Sequence, residues 1–488
     1  MKYLTWLADK LCSSKAASLY MLLFAIAIGV ATFVENDFGT SSAQDLIFRT
    51  WWFELLLVLF GLSILVNIYR FRMIQQKKWA ALTFHAAIII ILLGAGVTRY
   101  FGYEGIMHIR EGSASNDFLS AETYLNFKVL YHEKTYSFAE KVYFSSLGKN
   151  KFGKQYQIGN KIIQVKLKDF IPNPVEEMTD SPDGLAMLKV VIGGMNGREE
   201  YHVKYGDQVN LSGTKINFGN PEMPGYVNIS VQNDSLYFKV DRPITQMVMA
   251  TQKLDTIEPG ELKPLRTRSL YNMGNSNFVI AEFARSAVLN TTSKDIKVKS
   301  ESIVGLRLDV EMDSQHHELM LTGRKGSEGE YKTIESAEST IGIAYGSKRI
   351  ELPFSLYLKD FIMDKYPGTE NPSSYASEVT LTDPVKDVKM DKRIFMNNIL
   401  DYQGYRFFQS SFDQDELGTY LSVNHDFLGT WLSYIGYILL TIGLLFVFFQ
   451  PNTRFAYLTK KLKAIQNSSM LILLWISVFF AVPVMGYS

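Results

Sequence analysis

The sequence predicts a multi-pass α-helical membrane protein with a large all-β, sandwich-like domain, inserted between the third and fourth helices and held outside the cytoplasm. Three observations carry this. Apolar runs long enough to cross a bilayer cluster at both ends of the 488-residue chain. Residues 102–424 between them change to period-two alternation rich in β-branched and aromatic side chains. Basic clusters follow the second and the fourth apolar runs, which fixes a direction for each crossing. A mean hydropathy of zero therefore averages two populations. The net charge of +1 gives no whole-chain case for nucleic-acid binding, which needs a basic face.

The region 1–101 holds three predicted spans, at about 16–34, 51–69 and 79–100. Ala16 to Val34 follows Lys2, Lys10 and Lys15, as a signal peptide would, but no small-x-small cleavage site comes after it, so a retained helix is preferred. The stretch GTSSAQD reads as a polar loop into the second span, whose entry carries Trp51, Trp52 and Phe53, residues suited to the headgroup layer. Its exit carries Arg70, Arg72, Lys77 and Lys78, which places this loop and the N-terminus in the cytoplasm.

The third span then runs outward, and it holds His85. At 1.5 Å per residue the imidazole lies roughly 9 Å into the helix, in the inner half of the membrane. A titratable ring in hydrocarbon is costly, which makes it a candidate functional residue. Ala81, His85, Ile88, Leu92 and Gly96 share one helical face, with small residues at both ends where a helix or flat ligand could approach.

Residues 102–424 read as strands such as KIIQVKLKDF, SLYFKV and KRIELPFSLYL, broken by Gly, Pro, Asn and Asp turns. LKDFI occurs twice, at Leu167–Ile171 and Leu358–Ile362, each copy expected to lead into a Pro-containing acidic loop, PNPVEEMTDSPDG or MDKYPGTENPSS. Two related β units are one reading and chance the other. None of the six tryptophans falls in this region, which argues against a Trp-lined pocket there.

The fourth span, within 425–450, is followed by a basic cytoplasmic loop at 451–469 with Arg454, Lys460, Lys461 and Lys463, and then by a fifth apolar helix within 470–488. That last run reads as an outward crossing or a signal-like segment, with a continuation expected beyond it. One cysteine, Cys12, excludes an internal disulfide, a Cys-rich zinc site, a CxxC redox pair and the CxxCH haem-attachment signature.

Other histidines carry weaker signals. His425 in NHDFLGTW could face a ligand beside the fourth span, against a simple interfacial role, and His108 reads the same way more weakly. His316 and His317 are strand neighbours pointing to opposite faces, a poor metal pair. Tyr405, Arg406 and Phe407 read as a strand docking the β domain on the helices.

The chain resembles the ResB/CcsB family of system II cytochrome c biogenesis. The stretches that carry the resemblance are FRTWWFELLLVLFGLSILVNIYR, FHAAIIIILLGAGVTRYFGYEGIMHIREG and GYRFFQSSFDQDELGTYLSVNHDFLGTWLSYIGYILL. It implies a protein of the cytoplasmic (inner) membrane that, with the haem-handling partner CcsA or a fused CcsA half, carries haem b across the membrane for attachment to apocytochrome c. On that resemblance His85 is expected to be an axial haem ligand, and a neutral imidazole suits that role. Arg70 and Lys78 would attract haem propionates at the inner mouth. The Trp-rich haem-binding motif of CcsA, roughly WGxxWxWD, is absent, so the chain resembles the CcsB half, alone or from a CcsBA fusion cut after its fifth helix. It would then be the accessory, non-catalytic half of a haem lyase, dependent on a thiol-reducing partner and surrounded by membrane lipid. The competing class is a membrane-anchored sensor or interaction protein whose β domain binds a ligand, with His85 as helix-packing glue.

Overall fold

A computed structural model describes residues 9–450, apart from 195–196, 275, 299–301 and 337–338, together with 456–460. The expected fifth helix and most of the basic loop before it lie outside the described residues. Four helices have the length and apolar composition to cross a membrane: α1, Ser14–Ala43, continued by a π-helical turn at Gln44–Phe48; α2, Trp51–Arg70; α3, Trp79–Phe101; and α4, Phe427–Phe449.

The first span is longer than its apolar run. GTSSAQD is helical rather than a loop, because its hydroxyls bond locally: Ser42 Oγ donates to the Phe38 carbonyl at 2.9 Å and Thr40 Oγ1 to Glu35 at 2.7 Å. The change of direction is concentrated at Gly39, whose φ of 78° interrupts the helix. A Cβ there would also meet the Val298 carbonyl oxygen at 2.6 Å. We expect Gly39→Ala to destabilise the protein by ~1–3 kcal/mol, the usual cost of such a backbone conformation for an L side chain. Thermal unfolding in detergent checks this, and an unchanged midpoint would contradict it.

The helices alternate in direction. Asp9 pairs with Arg70, and Ser14 Oγ donates to Asn67 Oδ1 at 3.3 Å, so the start of α1 lies beside the end of α2. At the same end, Gln450 after α4 donates to the Lys77 carbonyl at 3.3 Å and accepts from the Ala80 N–H at 3.3 Å. The basic loop between α2 and α3 and the described part of the N-terminus thus share one end of the bundle. The β region leaves and returns at the other.

α3 and α4 pack through small residues seven apart. Ala80, Ala87 and Gly94 are buried on α3, and Gly429, Gly436 and Gly443 on α4. A Cβ on Gly436 would stand 3.2 Å from the Ile91 nitrogen and 3.3 Å from the Ala87 carbonyl oxygen, and one on Gly443 would stand 2.8 Å from the Phe84 nitrogen. Backbones that approach this closely gain dispersion contacts that hydrocarbon cannot supply, which is how helices associate in lipid. The tight seam with α4 is not the face of Ala81 and Gly96, where a helix or flat ligand could approach: it starts one position earlier, at Ala80, and nothing stands within 4 Å of a Cβ on Gly96.

The β region is all strand among its described elements, as the alternation predicts. Residues 174–294 form a compact unit of their own, with a five-stranded and a six-stranded sheet enclosing Phe218, Phe238, Tyr271, Phe278 and Ile280. The other unit joins the helices to a ten-stranded and a four-stranded sheet. Leu125, Phe127 and Ile343 from its larger sheet pack with Val165, Leu306 and Leu308 from the smaller. A second core, with Met107, Phe354, Leu381 and Phe407, lies within the larger sheet.

Both LKDFI copies fall in this second unit, inside strands Lys161–Pro172 and Ser339–Lys365, and the pairing register shifts at the lysine of each, Lys168 and Lys359. The stretch after the first copy is corrected from loop to strand: after a left-handed Asn173, φ 45°, the strand Pro174–Gly194 begins. Proline is tolerated there because a strand's first residue need not donate to the ladder. The stretch after the second copy does turn, between Lys365 and Pro372.

The larger sheet is tied directly to the bundle. Strand Tyr103–Arg110 follows α3 after Gly102, strand Gly418–His425 leads into α4 through Asp426, and the two pair antiparallel from Tyr103 with His425 to Arg110 with Gly418. Buried Asp426 accepts from Thr98 Oγ1 and from the Gly429 N–H at 3.1 Å, capping α4 while holding the end of α3.

Candidate functional site

The sequence of α3 places one imidazole on a stripe of aliphatic residues, and the structure fixes how it is held. His85 is half-buried, and its Nδ1 lies 2.7 Å from the Ala81 carbonyl oxygen one turn earlier. A carbonyl only accepts, so Nδ1 carries the proton of the neutral ring, and Nε2 keeps its lone pair. This is the tautomer a metal ligand needs, with the second nitrogen anchored by backbone. The Phe84 ring meets the imidazole edge-on, with centroids 5.7 Å apart. A Cβ built on Gly61 of α2 would stand 3.5 Å from Cδ1 of Leu92, seven residues further along the same face.

Arg70 and Lys78 lie at the same end of the bundle as His85. Arg70 is engaged by Asp9, whereas Lys78 is exposed immediately before α3, two turns from His85. His425 is at the opposite end. The sixteen residues from His85 to Phe101 rise roughly 24 Å, so the two histidines cannot ligate one metal ion. His425 stacks on Tyr103 at 4.7 Å and lies against Tyr405 at 4.3 Å. The hydroxyls of those tyrosines are 2.9 Å apart, and burial, then this bond, pushes the Tyr103 phenol well above its ordinary range.

The remaining histidines are held by the β domain. His108 Nε2 is 2.9 Å from Asp413 and its ring stacks on Tyr420 at 4.4 Å. His316 lies 3.3 Å from Asp309, and His317 is its neighbour in the same strand. Among the described residues no group of three or more His, Cys, Asp or Glu side chains could hold a metal ion.

Sequence reasoning passed over two contributors and placed a third. The spacing of Gly429, Gly436 and Gly443 was readable as a period of seven. Asp426 had the signature of a helix N-cap. Arg406, expected to sit in a docking strand, does reach α4: its guanidinium donates to Thr430 Oγ1 at 2.7 Å and to Asn424 Oδ1 at 2.9 Å.

Residues 75–146 and 325–425 match the profile of the ResB-like family. The first segment contains α3 with His85, and the second ends at His425. Protein NrfI of Wolinella succinogenes is 29% identical over 450 residues, which are 91% of this chain and 35% of that protein. The chain thus spans about a third of the length of the curated relative it matches. The two matched segments, which open and close a β region carried between the third and fourth helices, make the chain similar to the ResB-like family.

Proposed function

We propose that the chain is a membrane subunit of cytochrome c biogenesis that receives haem in the bilayer and passes it, with a CcsA-type partner, toward apocytochrome c on the face that carries the β domain. The observation that carries this reading is His85: its Nδ1 proton is committed to the Ala81 carbonyl, leaving Nε2 free within an apolar helix face. The basic residues Arg70, Arg72, Lys77 and Lys78 at the His85 end argue for a cytoplasmic side there, and hence for a β domain on the outer, periplasmic face. Lys78, exposed two turns below the imidazole, would attract a haem propionate, and Arg70 would do so by releasing Asp9.

Haem is the cargo. His85 supplies one axial nitrogen, and the second ligand is assigned to the partner. The chain's part is to bind, orient and hand over. Thioether formation and thiol reduction are left to proteins with the corresponding residues, since Cys12 is the only thiol in the sequence. The test is co-purification of the full chain with a CcsA-type partner from cells making cytochrome c, followed by visible absorption. A Soret band that travels with the complex is expected, and a haem-free complex that still supports maturation would overturn the reading.

A further inference from the structure

A cavity of about 640 Å³ opens at the β-domain end of the bundle, between the π-helical turn after α1, the end of α3 and the edge of the larger sheet. A second, of about 350 Å³, shares Thr40, Ser41, Thr123, Phe144 and Lys325 with it, so the two form one trough. Its charges are unevenly compensated. Glu122 is shared between Lys141, in direct contact, and Arg49 at 3.9 Å. Glu104 accepts from Asn424 at 3.1 Å, Asp426 is occupied by Thr98 and the Gly429 N–H, and Arg99 is spent on Glu54 and the Phe48 carbonyl.

Lys325 is left with no carboxylate partner among the described residues. Lys325 is exposed at the rim of the trough; desolvation, and then the nearby Arg49 charge, hold its ammonium below the ordinary range against the opposing pull of Glu122, Glu104 and Glu35, and desolvation likewise lowers Arg49. An anion between them would offset both effects. Arg49 is already oriented, its guanidinium stacked 3.8 Å from the Tyr143 ring centroid. Exposed Trp51, Trp52, Tyr100 and Phe101 lie at this same end of the bundle and mark the level of the headgroups.

We propose that this trough is a binding site for a phosphate group, held between Lys325 and Arg49, with Thr40, Ser41 and Thr123 among the lining residues. The phosphate is carried by an anionic phospholipid headgroup or is free in solution. The site is separate from His85, which lies at the other end of α3. Occupancy would hold the turn after α1 against the sheet and so stiffen the join between bundle and β domain.

The test uses the full chain in nanodiscs of phosphatidylcholine alone or with phosphatidylglycerol, and in phosphatidylcholine nanodiscs with added inorganic phosphate, read by native mass spectrometry and thermal unfolding. Wild type is expected to retain phosphatidylglycerol and to gain stability with it. Lys325→Gln is expected to lower that retention about tenfold, the scale of one charge-assisted hydrogen bond. Lys389→Gln, on an exposed strand elsewhere, should leave it unchanged. Equal stabilisation by inorganic phosphate, lost in Lys325→Gln, would support the site and assign the free anion as its ligand. No preference for phosphatidylglycerol or phosphate in wild type, or equal retention by Lys325→Gln and wild type, would overturn the proposal. Because Lys325 makes no ion pair among the described residues, its variant is expected to fold, and its unfolding midpoint in phosphatidylcholine alone checks that.

Discussion

His85→Ala is expected to lower the haem content of the purified complex by roughly tenfold or more and to reduce cytochrome c maturation in parallel, while leaving the membrane level of the protein near that of wild type. Loss of even an outer partner of a metal ligand costs ten- to a hundredfold in affinity, and loss of the ligand itself should cost no less. The fold should survive, because the imidazole's hydrogen bond is to its own helix and Ala is the best helix former. Haem content unchanged in His85→Ala would leave the histidine with a packing role only. The two outcomes separate the haem-handling reading from the sensor reading without reference to the β domain.

Gly436→Leu is the second substitution with a large expected effect. Its side chain would have to occupy space now filled by the Ile91 and Ala87 backbone, at 3.2–3.3 Å from the Cβ alone, so α3 and α4 would be forced apart. Overpacking of this kind costs ~1–3 kcal/mol or more, and here it falls first on Ile91 Cγ1, 2.5 Å from the Cβ, and then on the backbone behind it. Proteolysis of the membrane-embedded protein and its unfolding midpoint in detergent read the effect. Gly96→Leu provides the contrast, because nothing lies within 4 Å of its Cβ. It should fold as wild type does. Equal stability of the two variants would contradict the seam described here.

What the sequence disclosed divides along physical lines. The spans were legible because a run of apolar residues has few fates but lipid, and the strands because β-branched alternation has a period of its own. GTSSAQD misled because Ser and Thr in a helix can bond back to preceding carbonyls, so polarity alone does not make a loop. The strand from Pro174 was hidden by a proline and acidic residues that read as a turn, although its partner, Asn277–Ser293, lies about a hundred residues on in sequence.

The candidate site was legible only in part. A single imidazole in an apolar helix is conspicuous in any sequence, but its tautomer depends on one backbone contact. The helical face through His85 follows from periodicity, yet the tight α3–α4 seam belongs to the neighbouring stripe. The phosphate trough could not have been read, since Arg49, Lys141 and Lys325 come from three distant stretches joined by the fold.

We propose Nε2 of His85 as a haem ligand, with Nδ1 held by the Ala81 carbonyl. His85→Gly, purified with its partner and titrated with imidazole while the visible spectrum is recorded, tests this most directly. Imidazole entering the vacated space should restore the wild-type Soret position and haem retention in His85→Gly and do nothing in wild type. A wild-type spectrum in His85→Gly before imidazole is added would show that the iron takes its ligand elsewhere.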